Sequence, residues 1–225
     1  MAEVIVAFDV ATEREALRLA DTLPSLGWAK IGPILFLRSG PAIIRELKSR
    51  GVKVFLDLKW HDIPHQVAGA VEAAEELHID LATVHGAGGR EMLRAAAAAR
   101  ESLRLVAVSV LTSHTPEAYA EATGRGTVDL DEEVSRLAEL AMTSGMDGVV
   151  TSPLEVGAIR SQVGDEAWLV VPGIRPAGSD VGDQRRTADP RTAAQAGATH
   201  LVVGRPITRS EQPEAVYNQI CREIA

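Results

Sequence analysis

A chain of 225 residues, 46% hydrophobic and 24% charged with a formal net charge of -8, can bury a sizeable core and is too apolar for a disordered protein. The acidic balance argues against a broad phosphate-backbone surface, so no nucleic-acid partner is expected, although one local basic pocket for a small anion remains compatible with it. Cys221 is the only cysteine, which excludes an intrachain disulfide. With no signal-peptide pattern and no apolar run of membrane-spanning length, the expectation is a cytoplasmic protein without a membrane partner.

Residues 4–8 (VIVAF) are almost wholly apolar, as in a parallel strand buried on both faces, and end at Asp9. Residues 12–23 carry Leu17, Ala20 and Leu23 at helical spacing behind Thr12 and Glu15, a capping-box pair. The same unit then recurs. Strand 28–31, with Lys30, precedes helix 41–49, and strand 52–58 precedes helix 67–77. Strand 81–84 ends in His85-Gly86-Ala87-Gly88-Gly89 and leads into an alanine-rich helix over 91–100. Strand 105–111 ends at Thr112-Ser113, and a polar excursion separates it from a helix over about 131–144. Strands 148–150, 168–171 and 200–203, with helices 154–163, 192–196 and 213–224, complete the chain. Eight strands alternating with eight helices, without a linker, predict a parallel (β/α)8 TIM barrel in one domain over residues 1–225. A doubly wound open sheet is the alternative, and the strand count favours the barrel.

In such barrels the site lies at the C-terminal ends of the strands. Those ends carry Asp9, Lys30, Asp57, Lys59, Asp62, His85, Thr112, Arg175 and Arg205. The densest stretch is 54–66 (VFLDLKWHDIPHQ), where strand periodicity puts Asp57, Lys59 and His61 on one face and Asp62 at the turn. In isolation this would read as a solvated strand end with an ion pair of little consequence. Facing a common mouth, the charges point to a functional site. The late loops have another character. Residues 172–189 hold Gly173, Gly178 and Gly182 with Gln184, Arg185 and Arg186, and Gly204-Arg205 follows the last strand. Backbone N–H groups and an arginine there suit a phosphate.

Other motifs are missing. There is no Walker sequence, no dinucleotide fingerprint at residues 85–89 and no HExxH; Pro64 lies between His61 and His65, so no metal site is expected there. Ser113 lacks a nucleophile elbow, His78 and His200 read as structural, and His114 sits in a polar loop with no evident partner.

The order Ala7-Phe8-Asp9, Ala29-Lys30-Ile31-Gly32, Asp57-Leu58-Lys59-Trp60-His61-Asp62-Ile63-Pro64, Leu111-Thr112-Ser113, Pro172-Gly173-Ile174-Arg175, Asp183-Gln184 and Gly204-Arg205 resembles the orotidine 5′-phosphate decarboxylase family over nearly the whole chain. The resemblance implies decarboxylation of a nucleotide substrate, orotidine 5′-monophosphate, with no cofactor and no metal. It implies that Lys59 protonates C6 of the pyrimidine, that Asp57 sits near the substrate carboxylate, and that Lys30 and Asp62 complete an alternating charge network. Asp62 would be presented to the neighbouring subunit's site, which makes a homodimer the expected assembly. Asp9 and Lys30 would contact ribose hydroxyls and Thr112 the pyrimidine, with Ile63 and Pro172 also against the substrate. Gln184, Gly204 and Arg205 would hold the phosphate, and Arg175 lies on the loop that closes over it. Where the family often has Asn-Thr, this chain has His65-Gln66, and Gln66 keeps a hydrogen-bonding side chain.

Two other readings remain. A magnesium-dependent sugar-phosphate decarboxylase or aldolase of the same suprafamily would reuse Asp57, Lys59 and Asp62. A non-catalytic barrel would bind the nucleotide and turn over nothing.

Overall fold

The computed structural model describes residues 2–176 and 187–225. In chain order the elements begin with β1 (Glu3–Ala7), α1 (Glu13–Asp21), β2 (Trp28–Ile31), α2 (Pro33–Ser39), α3 (Pro41–Ser49), β3 (Lys53–Trp60) and α4 (Pro64–Glu76). They continue with β4 (Leu81–His85), a 3-10 turn (Gly86–Gly88), α5 (Gly89–Ala99), β5 (Arg104–Val108), α6 (Pro116–Thr123) and α7 (Leu130–Met142). The last are β6 (Gly148–Val150), α8 (Val156–Val163), β7 (Trp168–Val171), α9 (Pro190–Gln195), β8 (His200–Val203), α10 (Arg205–Thr208) and α11 (Pro213–Glu223). The eight strands pair in sequence order, all parallel, and β8 returns to β1 to close the barrel. This is the (β/α)8 architecture expected, and it excludes the open sheet. No helix among the described residues is long and apolar enough to cross a membrane.

Strand alternation divides the core in two. In β1, Val4 and Val6 face the helices, with Phe8 beyond them, while Ile5 and Ala7 face the barrel axis with Trp28, Phe55, Leu81, Val106, Val170 and Val202. Both faces are apolar because both are covered, which is why the strands read as continuous hydrophobic runs. Local signals start the helices. Thr12 Oγ1 accepts the Glu15 N–H at 3.2 Å while Glu15 Oε2 accepts the Thr12 N–H at 3.1 Å, closing the capping box. Proline stands in the first turn of α2, α3, α4, α6, α9 and α11, where its missing N–H costs no helical bond.

Three helices were not expected, and each has a local cause. Pro33 starts α2, which buries Leu35 and stops at Gly40, whose φ of +57° suits glycine. Thr115 caps α6 inside the polar excursion. The excursion is tied to α7 through Glu133, which accepts from Tyr119 Oη at 2.9 Å, Arg125 at 3.0 Å and Arg136 at 2.7 Å. The Arg136 hydrogen bond, with help from Arg125 and Tyr119, outweighs burial and lowers the Glu133 carboxyl to about 2. The third, α10, is a single turn after Gly204. Strand β5 also stops at Val108 instead of reaching 111. At Gly148 a Cβ would lie 1.9 Å from the Trp168 carbonyl oxygen, so only glycine allows β6 and β7 to approach.

The N-terminal end of the barrel is closed by a polar and aromatic layer. Trp28 Nε1 donates to Glu3 Oε2 at 2.9 Å, Lys53 lies over the Trp28 ring, Arg104 lies over the Trp168 ring, and the His200 ring packs 4.4 Å from Trp168. His200 Nε2 is buried and only 3.8 Å from Glu3 Oε1, too far for a hydrogen bond. Burial and the Lys53 charge outweigh the attraction of Glu3 and hold the ring pKa at about 4.

Because the folded pKa of His200 is depressed, its neutral form is favoured in the native state. Its contribution to stability is complete above the unfolded value near 6.5 and is lost as pH falls toward 4, with a magnitude on the order of 3 kcal/mol. In urea unfolding, wild type is therefore expected to lose more stability than His200→Gln between pH 7 and 4.5. Parallel losses in the two proteins would show that His200 does not set the acid sensitivity.

Candidate active site

The inward positions that carry the apolar core become polar at the C-terminal mouth. Asp9 extends the Ile5-Ala7 register, Lys30 follows Trp28, Asp57 follows Phe55 and Thr83 follows Leu81. Closure of the barrel sets these side chains against one another. Lys30 Nζ lies 2.9 Å from Asp9 Oδ1 and 3.5 Å from Asp57 Oδ2, and Lys59 Nζ lies 2.7 Å from Asp57 Oδ1. The chain of charge thus runs Asp9, Lys30, Asp57, Lys59, alternating in sign.

Burial raises the pKa of the Asp57 carboxyl, but Lys30 and Lys59, with hydrogen bonds from Lys59 and Thr83, more than reverse this and hold it below the usual aspartate value. Burial likewise pulls the Lys30 ammonium down, and the charges of Asp57 and Asp9 hold its pKa above the ordinary lysine value. Both groups remain charged.

Regular alternation fails at Lys59. Its φ is +52°, and the β3–β4 register shifts between Leu56 and Trp60. The Lys59 ammonium therefore folds back on Asp57, while His61 leaves that face and stacks on His85 with ring centroids 5.2 Å apart. The expectation that Asp57, Lys59 and His61 share one face is corrected for His61. Burial first, then His61, Lys59 and His114, lowers the pKa of the His85 ring. His114, expected to lack a partner, packs edge-on against Tyr119.

A cavity of about 470 Å³ opens above the charged chain, within the size range of small-ligand sites. Its wall brings Asp9, Lys30, Asp57, Lys59 and Thr112 together with Pro172, Arg175, Gly204 and Arg205. Ile174 bridges Ala188, and the Arg175 N–H donates to the Ala188 carbonyl at 2.9 Å, so the two ends of the segment around 177–186 meet at this wall. Gln184, with Gly178, Gly182, Asp183, Arg185 and Arg186, lies outside the described residues. Asp62, Ile63 and Gln66 are exposed and do not line the cavity of their own chain.

Four residues escaped the sequence reading. Thr208 and Arg209 reach the cavity because α10 turns the chain back over it, and nothing before the helix was seen signals that. Thr151 lines it from the end of β6, where Glu155 caps the Thr151-Ser152 turn. Thr83 is fully buried and touches both Asp57 and the Lys59 backbone. A lone hydroxyl at an inward position of LATVH was the available signal.

Comparison with known proteins follows the same lines. The model of the "Orotidine 5'-phosphate decarboxylase / HUMPS family" matches residues 2–220. The chain belongs to this family. It is 46% identical to the orotidine 5′-phosphate decarboxylase of Moorella thermoacetica, over 99% of this chain and 92% of that protein. It is 48% identical to that of Halorhodospira halophila, over 99% and 95%. The crystal structure of orotidine 5′-phosphate decarboxylase from Lactobacillus acidophilus superposes with a TM-score of 0.89 at 35% identity, covering 100% of this chain and 99% of the other.

Within this orotidine 5′-phosphate decarboxylase / HUMPS barrel the two lysines differ in weight. Lys30, 11% exposed, bridges two carboxylates, whereas Lys59, 35% exposed, touches one. Lys30→Met is expected to cost about 1–3 kcal/mol, more than Lys59→Met, in urea unfolding at pH 7. Equal costs would show that the ion-pair chain does not carry its own stability.

Proposed function

We propose that the protein converts orotidine 5′-monophosphate to uridine 5′-monophosphate and carbon dioxide in pyrimidine synthesis, without a cofactor, with Lys59 as proton donor to C6. Family membership supports the decarboxylation. The observation that carries the finer reading is the alternating chain Asp9, Lys30, Asp57, Lys59 beneath a cavity that Gly204 and Arg205 also line.

Breaking the bond between C6 and the carboxylate leaves an electron pair in the ring plane, poorly delocalised. The Lys59 ammonium stabilises that pair and then transfers a proton to C6, an interaction stronger in the transition state than in the ground state. Lys59 regains its proton from solvent. Asp57, fixed between two ammonium groups, faces the substrate carboxylate, and the repulsion between them is relieved as carbon dioxide leaves. Asp9 and Lys30 take the ribose hydroxyls, and Thr112 and Pro172 the pyrimidine. Gly204, Arg205 and Gln184 take the phosphate, and Arg175 belongs to the segment that closes over it. Phosphate binding, remote from C6, orients the ring. Of the carboxylates that the magnesium-dependent reading would reuse, Asp57 is already held between Lys30 and Lys59, which favours the cofactor-free reading.

A homodimer is part of the proposal, with Asp62, Ile63 and Gln66 serving the partner's site. Ile34 and Leu37 on α2 and Ile63 beside Asp62 are 61%, 83% and 63% exposed, on segments that follow the neighbouring strands β2 and β3. Apolar surface of that kind marks an association face. A cytoplasmic location agrees with Cys221 as the only cysteine.

Purified protein with chelator and no added cofactor should remove the orotidine 5′-monophosphate absorbance and form uridine 5′-monophosphate. Inertness of the folded protein until magnesium and a sugar phosphate are supplied would overturn the reading. Lys59→Ala should lower turnover by about 10³-fold, and mixing it with inactive Asp62→Ala should restore up to about a quarter of the wild-type rate through shared sites. No recovery on mixing would remove Asp62 from the partner's site. Arg205→Ala should cost about 2 kcal/mol in kcat/KM, mainly through KM; an unchanged value would end the phosphate assignment.

A further inference from the structure

Thr83 is a polar side chain with no exposed surface in the middle of β4, among Leu81, Ala82 and Val84. Nothing in its strand requires a hydroxyl there. Its Oγ1 accepts the Lys59 backbone N–H at 2.9 Å and lies 3.0 Å from Asp57 Oδ1. A hydroxyl has one proton. With the amide of Lys59 occupying a lone pair and the Asp57 carboxylate able only to accept, that proton points at Asp57.

The amide it accepts belongs to the residue with φ of +52°, at the point where the β3–β4 register shifts. A non-glycine residue held in the left-handed region needs its surroundings to fix it. In a regular parallel ladder the Lys59 N–H would find a carbonyl on a neighbouring strand; here the Thr83 side chain takes that place. One hydroxyl therefore sets two things, the backbone from which the Lys59 side chain departs and the orientation of the carboxylate on which its ammonium rests, 2.7 Å from Asp57 Oδ1.

We infer that Thr83 is a positioning residue for the reaction, bridging the Lys59 backbone and the Asp57 carboxylate so that the proton donor and its counter-charge keep one geometry. The inference rests on the decarboxylase reading above. Thr83 does not touch the cavity, so it acts on the chemical step and leaves recognition of the ribose and phosphate alone.

Thr83→Val keeps the shape and removes the hydroxyl, whereas Thr83→Ser keeps the hydroxyl and removes a methyl. With orotidine 5′-monophosphate, Thr83→Val should lower kcat about 10- to 100-fold. Its KM and its affinity for uridine 5′-monophosphate should stay within about threefold of wild type, and Thr83→Ser should keep at least about half of the wild-type kcat. A Thr83→Val kcat within about twofold of wild type overturns the inference. So does a parallel loss of kcat and uridine 5′-monophosphate affinity, or a Thr83→Ser variant as slow as Thr83→Val, because either means a packing role. Wild type assayed in the same series separates the two claims: if it leaves orotidine 5′-monophosphate unchanged, the decarboxylase reading itself has failed.

Discussion

The site depends on one buried carboxylate. Asp57 is 12% exposed and lies between two ammonium groups, Lys30 at 3.5 Å and Lys59 at 2.7 Å. Burial alone would push the Asp57 carboxyl up and the Lys30 ammonium down, toward their neutral forms. Paired, Asp57 and Lys30 stay ionised, and Asp57 is confined from both sides. The three side chains come from only two adjacent strands, and the register that places Lys30 beside Phe55 on β3 is enough to bring them together. The pairing of β2 with β3 is thus a condition for the chemistry as much as for the barrel.

The two ends of the barrel handle polar groups differently. At the N-terminal end, Trp28, Trp168 and His200 seal the interior with Glu3, Lys53 and Arg104 at the rim, and the buried imidazole is kept neutral. At the C-terminal end, buried groups are kept charged by mutual pairing. The first arrangement suits a closure that has only to exclude water. The second leaves strong fields facing a cavity, where a low dielectric makes them effective on a substrate. Between them lies the apolar layer of Ile5, Ala7, Phe55, Leu81, Val106, Val170 and Val202.

Much of the fold was legible because doubly buried strands are unbroken apolar runs. The run at residues 4–8, the capping pair Thr12 and Glu15, and the recurrence of strand and helix led to the barrel directly. The charged strand ends followed from it. What could not be read was set by tertiary detail. Alternation placed His61 with Asp57, and the positive φ at Lys59 moved it away; no local pattern in LDLKWH announces that turn, since its hydrogen-bond partner is on another strand. Helix α6 was hidden inside a polar stretch although Thr115 and Pro116 mark its start and Gly124 its end; the Tyr119–Glu133 contact that ties it to α7 has no local signal. Ile63 and Gln66 were singled out by resemblance alone, Asp62 also as a charge at the strand end, and within one chain all three remain at the surface.

The contact between Ile174 and Ala188 joins the chain on both sides of residues 177–186. The chain thus leaves β7 and comes back toward α9 through a pairing fixed to the barrel. Closure entropy grows only slowly with loop length, about 0.6 kcal/mol for each doubling. A change of length between Ile174 and Ala188 therefore costs the barrel little, and the strands that hold Asp57, Lys30 and Lys59 keep their register.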